Sequence, residues 1–215
     1  VADVIRVLIA DDDRLVRMGL SLVLGADRQL EIVGEAADGV EAVEMTRRLR
    51  PDVVLMDIRM PRMDGLAATA EIRRYGPEPV VIVLTTFDTD DYLLGALREG
   101  ANGFLLKGVA PEEILDGVRR AMAGESILAP SVVPRLIRHA VGGSGRPRRD
   151  RRLQRLSGRE LEVAEAVATG RSNAEIGAEL NMSVPTVKAY VSRLLEKLGC
   201  ANRVQVAILV HESRR

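Results

Sequence analysis

The chain has 215 residues, 47% apolar but only 2% aromatic and with no Trp, which bounds it to one or two domains with aliphatic cores. The single Cys200 excludes a disulfide framework, no apolar run approaches the roughly 18 residues of a membrane span, and the start "VADVIRVLIADDD" is acidic where a secretory leader is basic, so a cytoplasmic chain with no membrane partner is expected. The net charge of zero hides an asymmetry: residues 1–125 hold 15 Lys/Arg against 23 Asp/Glu, and residues 126–215 hold 16 against 8, which suggests two modules with different partners, the basic one suited to phosphate backbones.

In chain order, "IRVLIA" (5–10), "EIVGEA" (31–36), "DVVLMD" (52–57), "PVVIVLTT" (79–86) and "GFLLK" (103–107) are apolar, β-branched runs that predict strands. Between them "RLVRMGLSLVLG", "GVEAVEMTRRLR", "GLAATAEIRRY" and "DDYLLGALREG", then "PEEILDGVRRAMAG", carry apolar residues at three- and four-residue spacing and predict helices. Gly25 and Gly100 stand at expected helix stops, and Pro111 in a first turn. Five β-α units in series imply a parallel sheet covered on both faces, because crossovers between parallel strands are right-handed. "VGGSGRPRRDRRLQR" (141–155) reads as an exposed linker, and "PSVVPRLIRHA" before it as a short helix or strut whose His139 is solvated. The expected domains are 1–125, a linker over 126–152, and 153–215.

The last domain holds four helical patterns. "SGRE" (157–160) and "SNAE" (172–175) match the capping box, Ser183 can cap "VPTVKAYVSRLLEKLG", and Asn202 can cap "RVQVAILVHE". Leu161, Ala164 and Val167, then Ile176 and Leu180, then Val187, Val191, Leu194, Leu195 and Leu198 are the expected inner faces.

The polar residues at the strand ends carry the chemistry. Asp11 and Asp12 follow the first strand, Asp57 ends the third, Thr85 the fourth and Lys107 the fifth. All fall at the carboxyl edge, where open α/β sheets build their sites. Carboxylates so gathered repel one another unless a hard cation offsets them, and Mg²⁺ suits a few carboxylates plus water and phosphate oxygens. Asp57 could then attack a phosphoryl group, with Thr85 and Lys107 neutralising its oxygens. Asp13 reads instead as a cap of the first helix, and Thr86 competes with Thr85 for the hydroxyl role.

The set "ADD", "LMDIRMPRMDG", "LTT" and "FLLK" resembles the receiver domain of bacterial two-component response regulators over residues 4–124. The resemblance implies a flavodoxin-like (βα)5 fold, phosphorylation by a sensor histidine kinase on Asp57, and Mg²⁺ bound by Asp11, Asp12, Asp57 and the backbone carbonyl of Arg59. It makes Lys107 the partner of the phosphoryl group, and Thr85 and Phe104 the switch residues, Phe104 being equally a core residue. Gly108 departs from the Asp or Pro usual after "LLK", and Arg59 and Phe87 flank the attacked position.

Residues 156–210 resemble the LuxR-type helix-turn-helix of NarL/FixJ-class regulators. Read physically, the third helix offers Lys188, Ala189, Ser192 and Arg193 to a major groove, and Ser172, Asn173, Ser183 and Thr186 lie at helix starts where N–H groups and hydroxyls can hold phosphates. The resemblance implies groove contacts from Lys188, Ala189 and Ser192, and phosphate contacts from Thr186, Arg203 and the Ser172 region. Tyr190 replaces a frequent His, and Gly177 a usual Ala. One small helical domain buries little surface on double-stranded DNA, so a phosphorylation-dependent homodimer is expected, with Val206 or Leu209 packing against the partner.

Two other classes fit the sequence less well. An aspartate-nucleophile phosphohydrolase needs an acid two residues after the nucleophile, where Arg59 stands, and a ligand-sensing LuxR regulator wants a roomy apolar pocket in place of the aspartate set. The expected function is a DNA-binding transcription factor under phosphorylation control, and not an enzyme.

Overall fold

The computed structural model describes residues 4–76, 78–86, 90–125, 127–128 and 152–213. Phe87, His139 and most of the expected linker lie outside the described residues. The chain divides into two compact units, Val1–Met122 and Ala123–Arg215.

In the first unit, strands β1 (Ile5–Ala10), β2 (Leu30–Ala36), β3 (Val53–Asp57), β4 (Val80–Thr85) and β5 (Gly103–Leu106) alternate with helices α1 (Arg14–Gly25), α2 (Gly39–Leu49), α3 (Gly65–Arg73), α4 (Asp90–Arg98) and α5 (Pro111–Met122). The five strands are ordered β2-β1-β3-β4-β5, and each neighbouring pair is parallel. Val7, Leu8, Ile9, Val53, Val54, Val81, Ile82 and Val83 are all buried, the near-continuous apolar reading of strands covered on both faces. Phe104 is fully buried in this otherwise aliphatic core.

The helix starts follow their caps. Asp13, Asp38 and Asp64 each accept from backbone N–H groups at the heads of α1, α2 and α3. Gly25 does not stop α1 as a glycine cap would; the chain leaves through Ala26 in a right-handed conformation. Gly100, at φ +98, does supply the left-handed turn expected after α4.

The second unit holds a short 3₁₀ turn (Leu153–Arg155) and helices α6 (Gly158–Ala168), α7 (Asn173–Leu180), α8 (Val184–Leu198) and α9 (Arg203–Ser213). Both capping boxes form, on Ser157 with Glu160 and on Ser172 with Glu175. Asn202 accepts from Gln205 N at 2.9 Å, as its place before α9 predicts. Val163, Ala164, Val167, Ile176, Val187, Leu194 and Leu198 close the core together with Val206 and Leu209.

Two expectations are corrected here. Leu161 is 37% exposed, because Glu160, Val163, Ala164 and Val167 define the inner face of α6 and Leu161 falls off it. Val206 and Leu209 are 1% and 5% exposed and packed in the core of the helical domain, so neither is available to a partner. Gly177 also gains a reason: a Cβ there would lie 2.7 Å from the carbonyl oxygen of Met182, in the turn joining α7 to α8.

Candidate functional site

Strand register brings the polar residues together. Ala10 pairs with Met56, Asp57 with Leu84, and Thr85 with Leu106. The residues just past β1 and β5, Asp11 and Lys107, therefore meet Asp57 at the carboxyl edge, where the strand order reverses between β2-β1 and β3-β4-β5. Ligand atoms of Asp11, Asp12 and Asp57 lie within 4.8 Å of one another. Asp11 and Asp57 are buried, at 1% and 6% exposure, and Asp12 is exposed. Lys107 Nζ stands 2.6 Å from Asp11 Oδ2 and 3.0 Å from Asp57 Oδ1.

The electrostatics follow from that sharing. Burial raises the Asp57 carboxyl above its ordinary range; the Lys107 bond opposes this, and the neighbouring Asp11 charge adds to it. Burial alone would lower Lys107, but its bonds to Asp11 and Asp57 outweigh that and hold the ammonium above its ordinary range. One strongly held cation thus serves two carboxylates. The donor set is all oxygen, compact and open on the Asp12 side, which fits a small hard cation such as Mg²⁺.

Thr85 is 1% exposed at the end of β4, where its carbonyl accepts from Lys107 N at 2.9 Å, whereas Thr86 is exposed. Asp13 caps α1, accepting from Leu15 N at 2.8 Å. Arg59 is exposed in the loop after β3. Gly65 lets α3 start hard against the site, since a Cβ there would lie 1.9 Å from the Asp57 carbonyl oxygen.

Sequence reading missed Arg17. Its Nη1 donates to the carbonyls of Asp11 at 2.7 Å and Asp12 at 3.3 Å, tying α1 to the loop that carries both acids. Its position on an amphipathic helix gives no signal of this, because the acceptors are backbone atoms.

In the second unit, Thr186, Lys188, Ala189, Ser192 and Arg193 are exposed along α8. Ser183 Oγ and Thr186 Oγ1 are 2.7 Å apart at its head. Arg193 stacks over the Tyr190 ring, 4.4 Å from its centroid. Ser172 is half-buried in its capping box. Asn173 and Arg203 stand apart from this exposed set. Asn173 is 2% exposed and donates to the carbonyl of Ala123 at 2.8 Å. Arg203 donates to the carbonyls of Gly124 and Arg171, and burial lowers its guanidinium. In this conformation neither offers its side chain to a ligand.

Residues 7–119 match the family described as response regulator receiver domain, and residues 154–210 match bacterial regulatory proteins of the luxR family. The transcriptional regulatory protein LiaR of Bacillus subtilis is 40% identical over 97% of this chain and 98% of its own length. Response regulator protein VraR of Staphylococcus epidermidis is 36% identical over 95% of each. Among solved structures, the response regulator ChrA of a heme-sensing two-component system is 33% identical, with TM-score 0.54 over 100% of this chain and 99% of its own. RcsB of Salmonella typhimurium is 27% identical, with TM-score 0.59 over 97% of this chain and 99% of its own. The chain belongs to the response-regulator family of two-component transcriptional regulators, with a receiver domain followed by a LuxR-family DNA-binding domain. Among the described residues no helix is long and apolar enough to cross a membrane.

Proposed function

We propose that Asp57 accepts a phosphoryl group from a sensor histidine kinase and that this modification controls binding of the second domain to double-stranded promoter DNA. The observation that carries the reading is the trio of carboxylates within 4.8 Å, closed on one side by Lys107. A carboxylate oxygen of Asp57 forms the new O–P bond as the donor's P–N bond breaks, and the imidazole nitrogen keeps the electron pair. Asp11, Asp12, Asp57 and the carbonyl of Arg59 would hold Mg²⁺, which when bound supplies charge neutralisation to the phosphoryl oxygens. Lys107 approaches the same oxygens from the other side, and Thr85 is the hydroxyl that follows the modified group, with Phe104 buried in the core and paired with Val83, two residues before Thr85 on β4. The chain is a phosphorylated regulator rather than an enzyme with turnover on an external substrate.

On DNA, Lys188, Ala189 and Ser192 face base edges, while Thr186, Ser183 and the head of α7 at Ser172 meet phosphates. Asn173 and Arg203 join only where Ala123 and Gly124 release them. RcsB, a relative in fold, is described as dimers bound to DNA, 26% identical with TM-score 0.57, which supports a homodimer on DNA here. Receiver, linker and DNA-binding module are taken as 1–125, 126–152 and 153–215, in the cytoplasm.

The test is stoichiometric. Incubation with a small phosphodonor and Mg²⁺ adds one phosphoryl group to the wild type and none to Asp57→Asn. Equal labelling of both would remove Asp57 from the reading.

A further inference from the structure

The loop Ile58–Asp64, which leads from the phosphoacceptor to α3, contains a backbone conformation that its residue does not favour. Arg62 sits at φ +60, a left-handed geometry in which a Cβ crowds the backbone and which glycine adopts freely. A residue kept there against its preference is held by something else.

What holds Arg62 is its side chain. Arg62 Nε donates to Asp38 Oδ2 at 2.6 Å, and Nη2 makes a second, shorter contact with the same oxygen. Nη2 also reaches Glu41 Oε1 at 3.3 Å. Asp38 is a rigid anchor: it is 5% exposed, and its other oxygen accepts from Val40 N at 2.9 Å and Glu41 N at 3.0 Å at the head of α2. Glu41 is fixed in turn, accepting from Ala37 N at 2.9 Å. Burial raises the Asp38 carboxyl, but the Glu41 N–H and then the Arg62 guanidinium outweigh it and hold the group below its ordinary range.

Two backbone bonds flank this ion pair. Gly65 N donates to the carbonyl of Ile58 at 2.8 Å, and Gly39 N donates to the carbonyl of Met63 at 3.1 Å. The segment between these ties carries Arg59, and the Arg62–Asp38 pair is the side-chain tie that fixes its course. We infer that Arg62, clamped on Asp38 and Glu41, is a positioning residue that holds the loop after Asp57, and with it the Arg59 carbonyl, in the geometry that receives the divalent cation. The inference rests on the proposed cation site and adds to it residues that touch neither the cation nor the phosphoryl group.

The experiment measures Mn²⁺ binding to the unphosphorylated full-length protein by the loss of free-ion electron paramagnetic resonance signal, beside thermal unfolding of the same samples. Arg62→Gly relieves the left-handed strain and removes the clamp; Asp38→Asn keeps the helix cap and removes the charge; Arg62→Lys keeps the charge without the fork. The expected result is a loss of about 10-fold in Mn²⁺ affinity for Arg62→Gly and Asp38→Asn, as for outer partners of metal ligands. Arg62→Lys falls between, and Arg62→Gly shows no drop in Tm. Wild-type affinity in Arg62→Gly overturns the inference, as does an affinity loss that merely tracks a loss of Tm. A wild-type protein that binds no Mn²⁺ refutes the cation site itself, and the clamp with it; that outcome is distinct, because it needs no variant to see.

Discussion

Asp57 faces Lys107 across the carboxyl edge of the sheet with their charged atoms 3.0 Å apart, and yet the Asp57 carboxyl is held above its ordinary range. The ammonium is nearer to Asp11, at 2.6 Å, so burial decides the balance at Asp57. A carboxyl whose folded pKa lies above its unfolded value favours folding while protonated, and that contribution is lost as pH rises through the folded pKa. At neutral pH the ionised group therefore works against the fold. Asp57→Asn should raise Tm at pH 7 by a few degrees, roughly the yield of 1 kcal/mol in a domain of this size. The gain should shrink as pH falls through the raised pKa, towards and below the ordinary carboxyl value of about 4. Thermal scans of both proteins from pH 7 to pH 4 check it; a gain independent of pH would contradict the burial account.

Removing the counter-charge has the opposite sign. Lys107→Ala leaves Asp11 and Asp57 facing each other while both are buried, at a cost on the order of 1–3 kcal/mol at neutral pH. Adding Mg²⁺ should restore more stability to Lys107→Ala than to the wild type, because the cation replaces the missing charge. Denaturant unfolding with and without Mg²⁺ measures the difference.

Backbone proximity makes a third prediction at Gly65. A Cβ 1.9 Å from the Asp57 carbonyl oxygen cannot be absorbed by a side-chain rotation. Gly65→Ala should cost about 2 kcal/mol or more and lower the rate of phosphoryl uptake, both readable on one purified variant.

The strand-end chemistry was legible in the sequence because strands place their terminal residues together whatever the intervening helices do. Asp11, Asp57 and Lys107 each follow an unmistakable apolar run, whereas Thr85 and Thr86 both end one, and only the structure shows that Thr85 is buried and Thr86 exposed. Side-chain ties between distant segments were not legible. Arg62 meets Asp38 across 24 residues, and Lys197 meets Glu160 across 37; periodicity carries no signal for either, and Lys197 reads in sequence as an ordinary solvated residue. In the small helical domain the period located the helices but misassigned Leu161, and the apolar surplus of the last helix misplaced Val206 and Leu209, which lie in the core. There a face shifted by one residue changes which side chain is buried.

The Lys197–Glu160 pair yields a pH prediction. Lys197 Nζ lies 2.7 Å and 2.9 Å from the two Glu160 oxygens, and with the Ser157 N–H it holds this carboxyl down to about 2. A depressed folded pKa contributes stability above the unfolded value, lost as pH falls towards the folded one. Amide exchange at the head of α6 should therefore be slower in wild type than in Glu160→Gln at pH 6. The two should converge as pH drops from about 4.3 towards 2.

Lys188 tests the DNA face. It is exposed near the head of α8 with Thr186 and Ser192. If it reads a base edge, Lys188→Ala costs about 1–3 kcal/mol at the specific site and relaxes selectivity there. A uniform loss over all sequences, with a shallower salt dependence, would make it a phosphate contact.

In the proposed mechanism the state of Asp57 sets the affinity for DNA. Genome-wide binding of the purified full-length protein in vitro, with and without a small phosphodonor and Mg²⁺, for wild type and Asp57→Asn in parallel, addresses it directly. The predicted result is a set of sites whose occupancy rises with the donor in wild type and is unchanged in Asp57→Asn. Identical occupancy in wild type with and without the donor, at matched salt and with phosphorylation verified by mass, would contradict it.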